Sequence, residues 1–379
     1  MAGKNKRITI TSGIKMNWED LVEKGFIKRN EDGSGYVVNG SLNLSGLTQH
    51  SGPTLQPEFI IDSDGLNLSG VPVHSLPNNL TVTGSLNLIS SEIRYLPNNL
   101  KVYGSLKIDN TKIRTLPEDL YVGGDLNLSN TSVTSIGENL QVQGNLVLHW
   151  SAIKKLPFKL KVGGNLDLRK TLITELPEKL CVGGDLDLRN TEISILPQLF
   201  KVAGSFRLSD SKIATLPENL IINGDLNLNG CPIKKLPSGL VVNGDLNLGN
   251  TPITSLPKNL KVHGGLNLSG TQITSLPEGL TVNSYLDLGG TNVETLPESS
   301  DIGGFVWPGK VMIKQMRNST CKIVDESNQK DYMCAYMERF QNFMDTKTQM
   351  KTLNQIKMLA IKGRNKTNTG TGSSWSTAS

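Results

Sequence analysis

Few residues in this 379-residue chain have the type and spacing for bond-making chemistry. Its four cysteines, Cys181, Cys231, Cys321 and Cys334, stand far apart and form no Cys-x-x-Cys pair. That spacing argues against a zinc site and against a disulfide framework. His50, His74, His149 and His263 are scattered, with no fixed serine or cysteine partner to make a nucleophile–base pair. No glycine loop has the pattern that cradles phosphate. The sequence therefore predicts a protein that is not an enzyme, with no cofactor and no metal. What remains is non-covalent recognition, and one cluster suits it. Val147, His149 and Trp150 recur in step with Asp167, Arg169 and Lys170, with Asp187 and Arg189, and with Arg207, each set twenty residues after the last. A tryptophan beside arginines is the composition of an interface hot spot.

Those residues share a patch only if successive twenties stack, and the surrounding sequence says that they do. One unit reads Leu100, Val102, Gly104, Leu106, Ile108, Thr111, Ile113, Leu116, Pro117, and the next begins at Leu120 with Val122, Gly124, Leu126, Leu128. The register holds without insertion from about Leu76 to Leu296, with two looser units before it around Leu42 and Leu66. A 20-residue period with aliphatic positions means a solenoid, because no unit can bury its own leucines alone. Leu-x-Leu has period two and predicts a short strand with leucines inward. The glycine before it permits a tight turn or a close approach to the neighbouring coil. Leu-Pro predicts a rigid, non-helical return. With coils about 5 Å apart, the cluster from Val147 to Arg207 becomes one patch across four coils. The alternative is a solvated face that drifts between copies.

Two further columns carry physical content. Ser91, Thr111, Thr131, Ser151, Thr171 and the positions after them are small donors throughout, with Cys231 as a thiol version. Such a row can satisfy backbone carbonyls inside the turns, which makes Cys231 structural. The position between the strand leucines is mostly Asn, from Asn43 to Asn267. Stacked Asn side chains can bond along a ladder, and this row is read as structural in preference to ligand-binding.

The pattern Leu-x-Leu-x-x-Thr-x-Ile-x-x-Leu-Pro-x-x-Leu resembles the leucine-rich repeat in its short bacterial form. The resemblance covers the array alone, and extends to arrays of bacterial effectors and of tailed-phage genomes. It implies a curved solenoid with parallel strands on its concave face and a binding role, without naming a partner. One departure is the Leu-x-Val-x-Gly segment, which is expected to add a second short strand per coil and to flatten the solenoid. Some bacterial members carry a C-terminal ubiquitin-ligase domain with a Cys-x-Asp motif. Here Cys321 precedes Lys322 and Ile323, and Cys334 precedes Ala335 and Tyr336, so that activity is not implied.

The flanks complete the expectation. Residues 1–35 are read as an N-terminal cap, with a short helix over 17–25 capped by Asn17 and ended by Gly25, then a turn at 31–35. The array covers 36–308 with about thirteen coils. Residues 309–363 form a connector and a small helical module, in which Tyr332, Tyr336, Phe340 and Phe343 make a docking stripe at helical spacing. That stripe either caps the array or binds a partner, with self-association through 328–363 as one form of it. Residues 364–379 are Thr/Ser/Gly/Asn-rich and read as a disordered tail. The fold class is thus an α+β solenoid, mostly β. Twelve Lys/Arg against six Asp/Glu after 300 make the tail basic and leave the array near neutral, although the whole chain is +5. Nucleic acid is not expected as a partner. No apolar run suits a membrane span or a signal segment, so the expected location is the cytoplasm or a virion. The predicted function is a scaffold that binds another protein. The alternatives are a virion or assembly component multimerising through the C-terminal helices, and an effector delivered into a host cell.

Overall fold

The computed structural model describes residues 65–307, apart from Pro72, with short pieces between 8 and 59 and at 322–323. Tyr332, Tyr336, Phe340 and Phe343, the tail from 364, and Asn17 all lie outside the described residues. So does the rest of the second compact unit, Val324–Ser379.

The Leu-x-Leu segments do what their period demands. Leu106–Lys107 pairs in parallel with Ser85–Asn87 on one side and Leu126–Asn127 on the other, Leu against Leu and the middle residue against the middle residue. Repeated from Leu42–Asn43 onward, this register builds a single sheet of fifteen strands. It runs past the expected end of the array, since Phe305–Trp307 pairs with Lys322–Ile323. The expected second strand is present as well. Lys101–Val102 pairs in parallel with Thr81–Val82 and Tyr121–Val122, and its equivalents form a second ladder. The two ladders enclose a continuous aliphatic core. Leu106, Ile108, Ile113, Leu100 and Val102 of one coil are all fully buried. Each leucine loses its water only because the neighbouring coils cover it, at roughly 25 cal/mol per Å² of apolar surface.

The glycine before Leu-x-Leu has a specific partner. A Cβ on Gly144 would meet Asp125 Oδ1 at 2.4 Å and the Gly124 carbonyl carbon at 2.7 Å. That Asp125 oxygen accepts the Asn145 N–H of the next coil at 2.7 Å. Asn145, Asn165, Asp185 and Asp245 repeat the bridge. The glycine column therefore vacates the space that a bridging side-chain oxygen fills.

The donor column is internal, as its residue types imply. Thr111 and Thr131 each donate to the carbonyl three residues back, Ile108 and Leu128, at 2.7 Å. Cys231 is fully buried, and its Sγ donates to the Leu208 carbonyl of the previous coil at 3.0 Å. The Asn row makes structural bonds within its own coil: Asn127 Oδ1 accepts the Ser129 N–H two residues on, and Asn247 Oδ1 that of Gly249. A side chain one atom longer than serine reaches its own turn more easily than the next strand.

At the far end of this turn the chain takes a positive φ in every regular coil. Asn110, Asn130, Asn190 and Asn250 occupy that corner at φ 54–58°, and Gly230 and Gly270 at 70–71°. N-terminal to the array, Gly25 also has a positive φ (73°), and its N–H bonds the Val22 carbonyl as expected of a helix end. Lys28–Arg29 and Tyr36–Val38 form an antiparallel pair around the turn at 31–33, and Tyr36–Val38 then pairs with the first regular second-ladder strand.

The two ladders differ in one respect. The first runs unbroken, whereas the second stops after Lys201–Val202 and begins again at Ile221–Ile222.

Candidate protein-interaction site

The patch residues are placed by first-ladder register. Val147 stands opposite Asp167, Asp167 opposite Asp187, and Asp187 opposite Arg207, one coil apart each time. Two residues on from each strand, His149, Arg169 and Arg189 turn back over that row. Arg169 binds Asp167 through Nη2 at 2.6 Å and Nε at 2.9 Å, and its Nε also lies 3.5 Å from Asp187. Arg189 grips Asp187 in the same forked way, Nη2 at 2.7 Å and Nε at 3.0 Å. His149 Nδ1 lies 3.0 Å from Asp167 Oδ2. Arg207 reaches sideways to Asp185 at 2.8 Å.

This face is therefore electrostatically self-contained. Forked Arg–carboxylate pairs are the strong kind of charge-assisted bond. Burial works to raise the Asp167 carboxyl, but the hydrogen bonds and charge of Arg169, with the charge of His149, outweigh it and hold the pKa below the usual carboxylate value. The bond to Asp167 pushes the Arg169 pKa up against its own burial. Each arginine of the patch is paired with an aspartate. Asp185, which the sequence reading passed over, is one of these partners; its place one residue before Leu186, a coil before Arg207, was the available signal.

Trp150 and Lys170 behave differently. Both sit at the positive-φ corner, at 59° and 56°, where the other coils place Asn, Asp, Ser or Gly. The left-handed conformation brings Cβ against the following carbonyl, at roughly 1–2 kcal/mol for an ordinary residue. Asn and Asp tolerate it through local bonding, and glycine lacks the Cβ. Neither excuse applies to Trp150 or Lys170. Trp150 is moreover 60% exposed, and Lys170 Nζ lies 4.4 Å from the centroid of its ring. Leu172, two residues past Lys170, is also exposed. The corner thus displays an indole, an ammonium on its face, and an aliphatic side chain. The Asn/Asp/Gly composition of the column was a legible signal of positive φ that the sequence reading did not use.

Among the described residues, no three His, Cys, Asp or Glu side chains are grouped to hold a metal ion, and no helix is long and apolar enough to cross a membrane. Burial pushes the Cys231 thiol up, which keeps it from acting as a nucleophile.

No family model matches the chain, and no curated protein does. Among solved structures it is similar to YopM, a leucine-rich effector protein from Yersinia pestis, at 15% identity over 68% of this chain and 88% of that one, with a TM-score of 0.37. It is similar also to the leucine-rich repeat domain of APL1B (16% identity, 68% and 94% covered, TM-score 0.45). A third is the leucine-rich-repeat protein LIC12759 of Leptospira interrogans (21% identity, 61% and 79% covered, TM-score 0.34). All three are leucine-rich-repeat proteins. At this level the likeness is one of repeat type, and the parallel solenoid of 20-residue coils stands on its own ladders.

Proposed function

We propose that this chain is a non-enzymatic scaffold that holds a partner protein on the solenoid surface, with Trp150 as the anchor. The observation that carries this reading is the conformation of Trp150. A strained, exposed, bulky residue in a column of Asn and Gly gains within the fold only an exposed cation–π contact with Lys170, and such strain gathers where a surface has work to do. Val147, His149, Asp167, Arg169, Asp187, Arg189 and Arg207 form the rigid, charge-paired floor beside it. Paired arginines contribute shape and directional bonds more than net charge. Self-association through 328–363 and the virion and effector roles gain no support from any described residue.

The test is the double variant Trp150→Asn, Lys170→Asn. It relieves two strained residues at the loss of one cation–π contact, so the variant is expected to be more stable by about 1 kcal/mol. Asn130 Nδ2 already donates to Asn110 Oδ1 at this corner, so a continued Asn row suits it. The same variant is expected to lose the protein that the wild-type chain captures. Undiminished capture by this better-folded variant would sink the proposal.

A further inference from the structure

Beyond the corner at Trp150, each coil crosses a lateral face before its Leu-Pro return. On this face the cations are not paired. Arg94, Lys112, Arg114, Lys154 and Lys155 are all exposed, and among the described residues none of them forms an ion pair. Lys170 adds a sixth cation at the edge, engaged only with the Trp150 ring. Positions 110–115, 130–135 and 150–155 contain no Asp or Glu. Carboxylates resume at the two corners, with Asp109 on one side and Glu118, Asp119 and Glu138 on the other, and on the face itself one coil beyond at each end, with exposed Glu92 beside Arg94 and exposed Glu175 in the column of Lys155. These coils also hold their lateral backbone together. The Thr134 N–H donates to the Arg114 carbonyl at 3.1 Å, the Lys154 N–H approaches the Thr134 carbonyl at 3.4 Å, and Thr115 bridges Ser135.

Lys112 and Arg114 stand two coils, roughly 10 Å, from Lys154 and Lys155, and four like charges gathered on three coils repel unless something neutralises them. On the first ladder this chain neutralises Arg169, Arg189 and Arg207 one by one with aspartates. Across positions 110–115, 130–135 and 150–155 the lateral face has no such partners, with exposed Trp150 at its edge and exposed Tyr95 and Leu172 one coil beyond at either end.

We propose that this face binds an acidic, extended segment of the partner protein. The inference rests on the scaffold reading above and adds the face and the chemistry. Charge complementarity selects the occupant. The stripe is bounded by acids on both sides, so a narrow polyanion fits between them, while a duplex would lay its phosphates against Asp109 and Glu118. From Lys112 to Lys155 the acid-free stripe crosses three coils, roughly 10 Å, which matches about three residues of extended chain. An apolar residue of that segment seats against Trp150 and Leu172, and its carboxylates meet Lys112, Arg114, Lys154 and Lys155.

The probe is a fluorescein-labelled 12-residue Glu-rich peptide with one central Leu, titrated against the full chain by anisotropy. A Gln-for-Glu peptide and a 12-nucleotide single strand serve as comparisons. Lys154→Glu, Lys155→Glu is set against Lys234→Glu, Lys235→Glu, which makes the same charge change in the same columns four coils on. The first variant is expected to weaken the Glu-rich peptide about tenfold or more, and the second to change little. Equal losses in both, or equal binding of the Gln peptide, would overturn the proposal. Tighter binding of the oligonucleotide, lost in the first variant alone, would replace the acidic segment with a nucleic acid. Trp150→Ala separates the two readings: if it abolishes partner capture while Lys154→Glu, Lys155→Glu does not, the anchor stands and the acidic-segment proposal falls.

Discussion

Phe200 and Phe206 pack with ring centroids 5.6 Å apart, at the joint where the second ladder breaks. The other regular coils place Leu at both positions, apart from the last, which has Ser300 and Val306. Phe206 is fully buried on the unbroken side, and Phe200 is only half-buried on the broken side. Two rings in the space of two leucines wedge the coils apart where they are free to part, because overpacking is relieved along the softest direction. Asn243 N–H bonds the Ile222 carbonyl and Gly244 N–H bonds the Gly224 carbonyl, but among the described residues the matching bonds from Asn223 and Gly224 to the preceding coil are missing. Amide hydrogen exchange should therefore be at least about tenfold faster at 221–224 than at 241–244. The Phe200→Leu, Phe206→Leu variant should bring the two segments level. Equal protection in the wild-type chain would contradict the break.

The donor column contains two defects. The buried hydroxyls of Ser91 and Ser151 have no partner. Thr131 and Thr171, one coil either side of Ser151, both donate to a carbonyl at 2.7 Å and bury a methyl group. Ser151→Thr should gain that bond and that methyl, raising stability by about 1 kcal/mol in urea denaturation. Thr131→Ser should move the other way. A loss of stability in Ser151→Thr would show that the column has no room for the methyl group at this coil.

Stacked aspartates make stability respond to pH in both directions. Burial raises the Asp225 pKa, with the charge of Asp245 and Asp185 adding to it, although the Asp245 N–H bond and Arg207 oppose. A raised folded pKa means that the native state holds this proton when the unfolded chain, at about 3.9, has lost it. The Asp225 contribution thus falls as pH rises from the ordinary value through the raised one, and the charge is a liability above that. Asp225→Asn keeps the oxygen that accepts the Asp245 N–H at 2.8 Å and removes the charge. It should stabilise the chain at pH 7, with the gain vanishing below the ordinary carboxylate pKa. Asp167 has the opposite sign: its lowered pKa supplies stability above the ordinary value that is lost as pH falls through the folded one. Asp167→Asn should therefore destabilise at pH 7 and matter least in acid. Identical pH profiles for the two variants would refute these assignments.

The period, the inward leucines, the second strand of Leu-x-Val and the donor role of Thr111 were all present in the sequence by itself. Each depends on one residue type repeating at one spacing, and stacking identical coils turns that spacing directly into contact. The sequence also placed Val147, Trp150, Asp167, Arg169 and Lys170 in one neighbourhood, because columns twenty apart must adjoin. What those residues do to one another was decided by tertiary structure. Arg169 and Arg189 fold back onto Asp167 and Asp187, so their charges are paired, while Lys112, Arg114, Lys154 and Lys155 on the lateral face form no ion pair among the described residues. Pairing depends on where side chains point, and column arithmetic records only which coil they leave from. The wedge at Phe200 and Phe206 was hidden for the same kind of reason. Either ring alone passes for a leucine in the pattern, and only their meeting inside one coil opens a ladder.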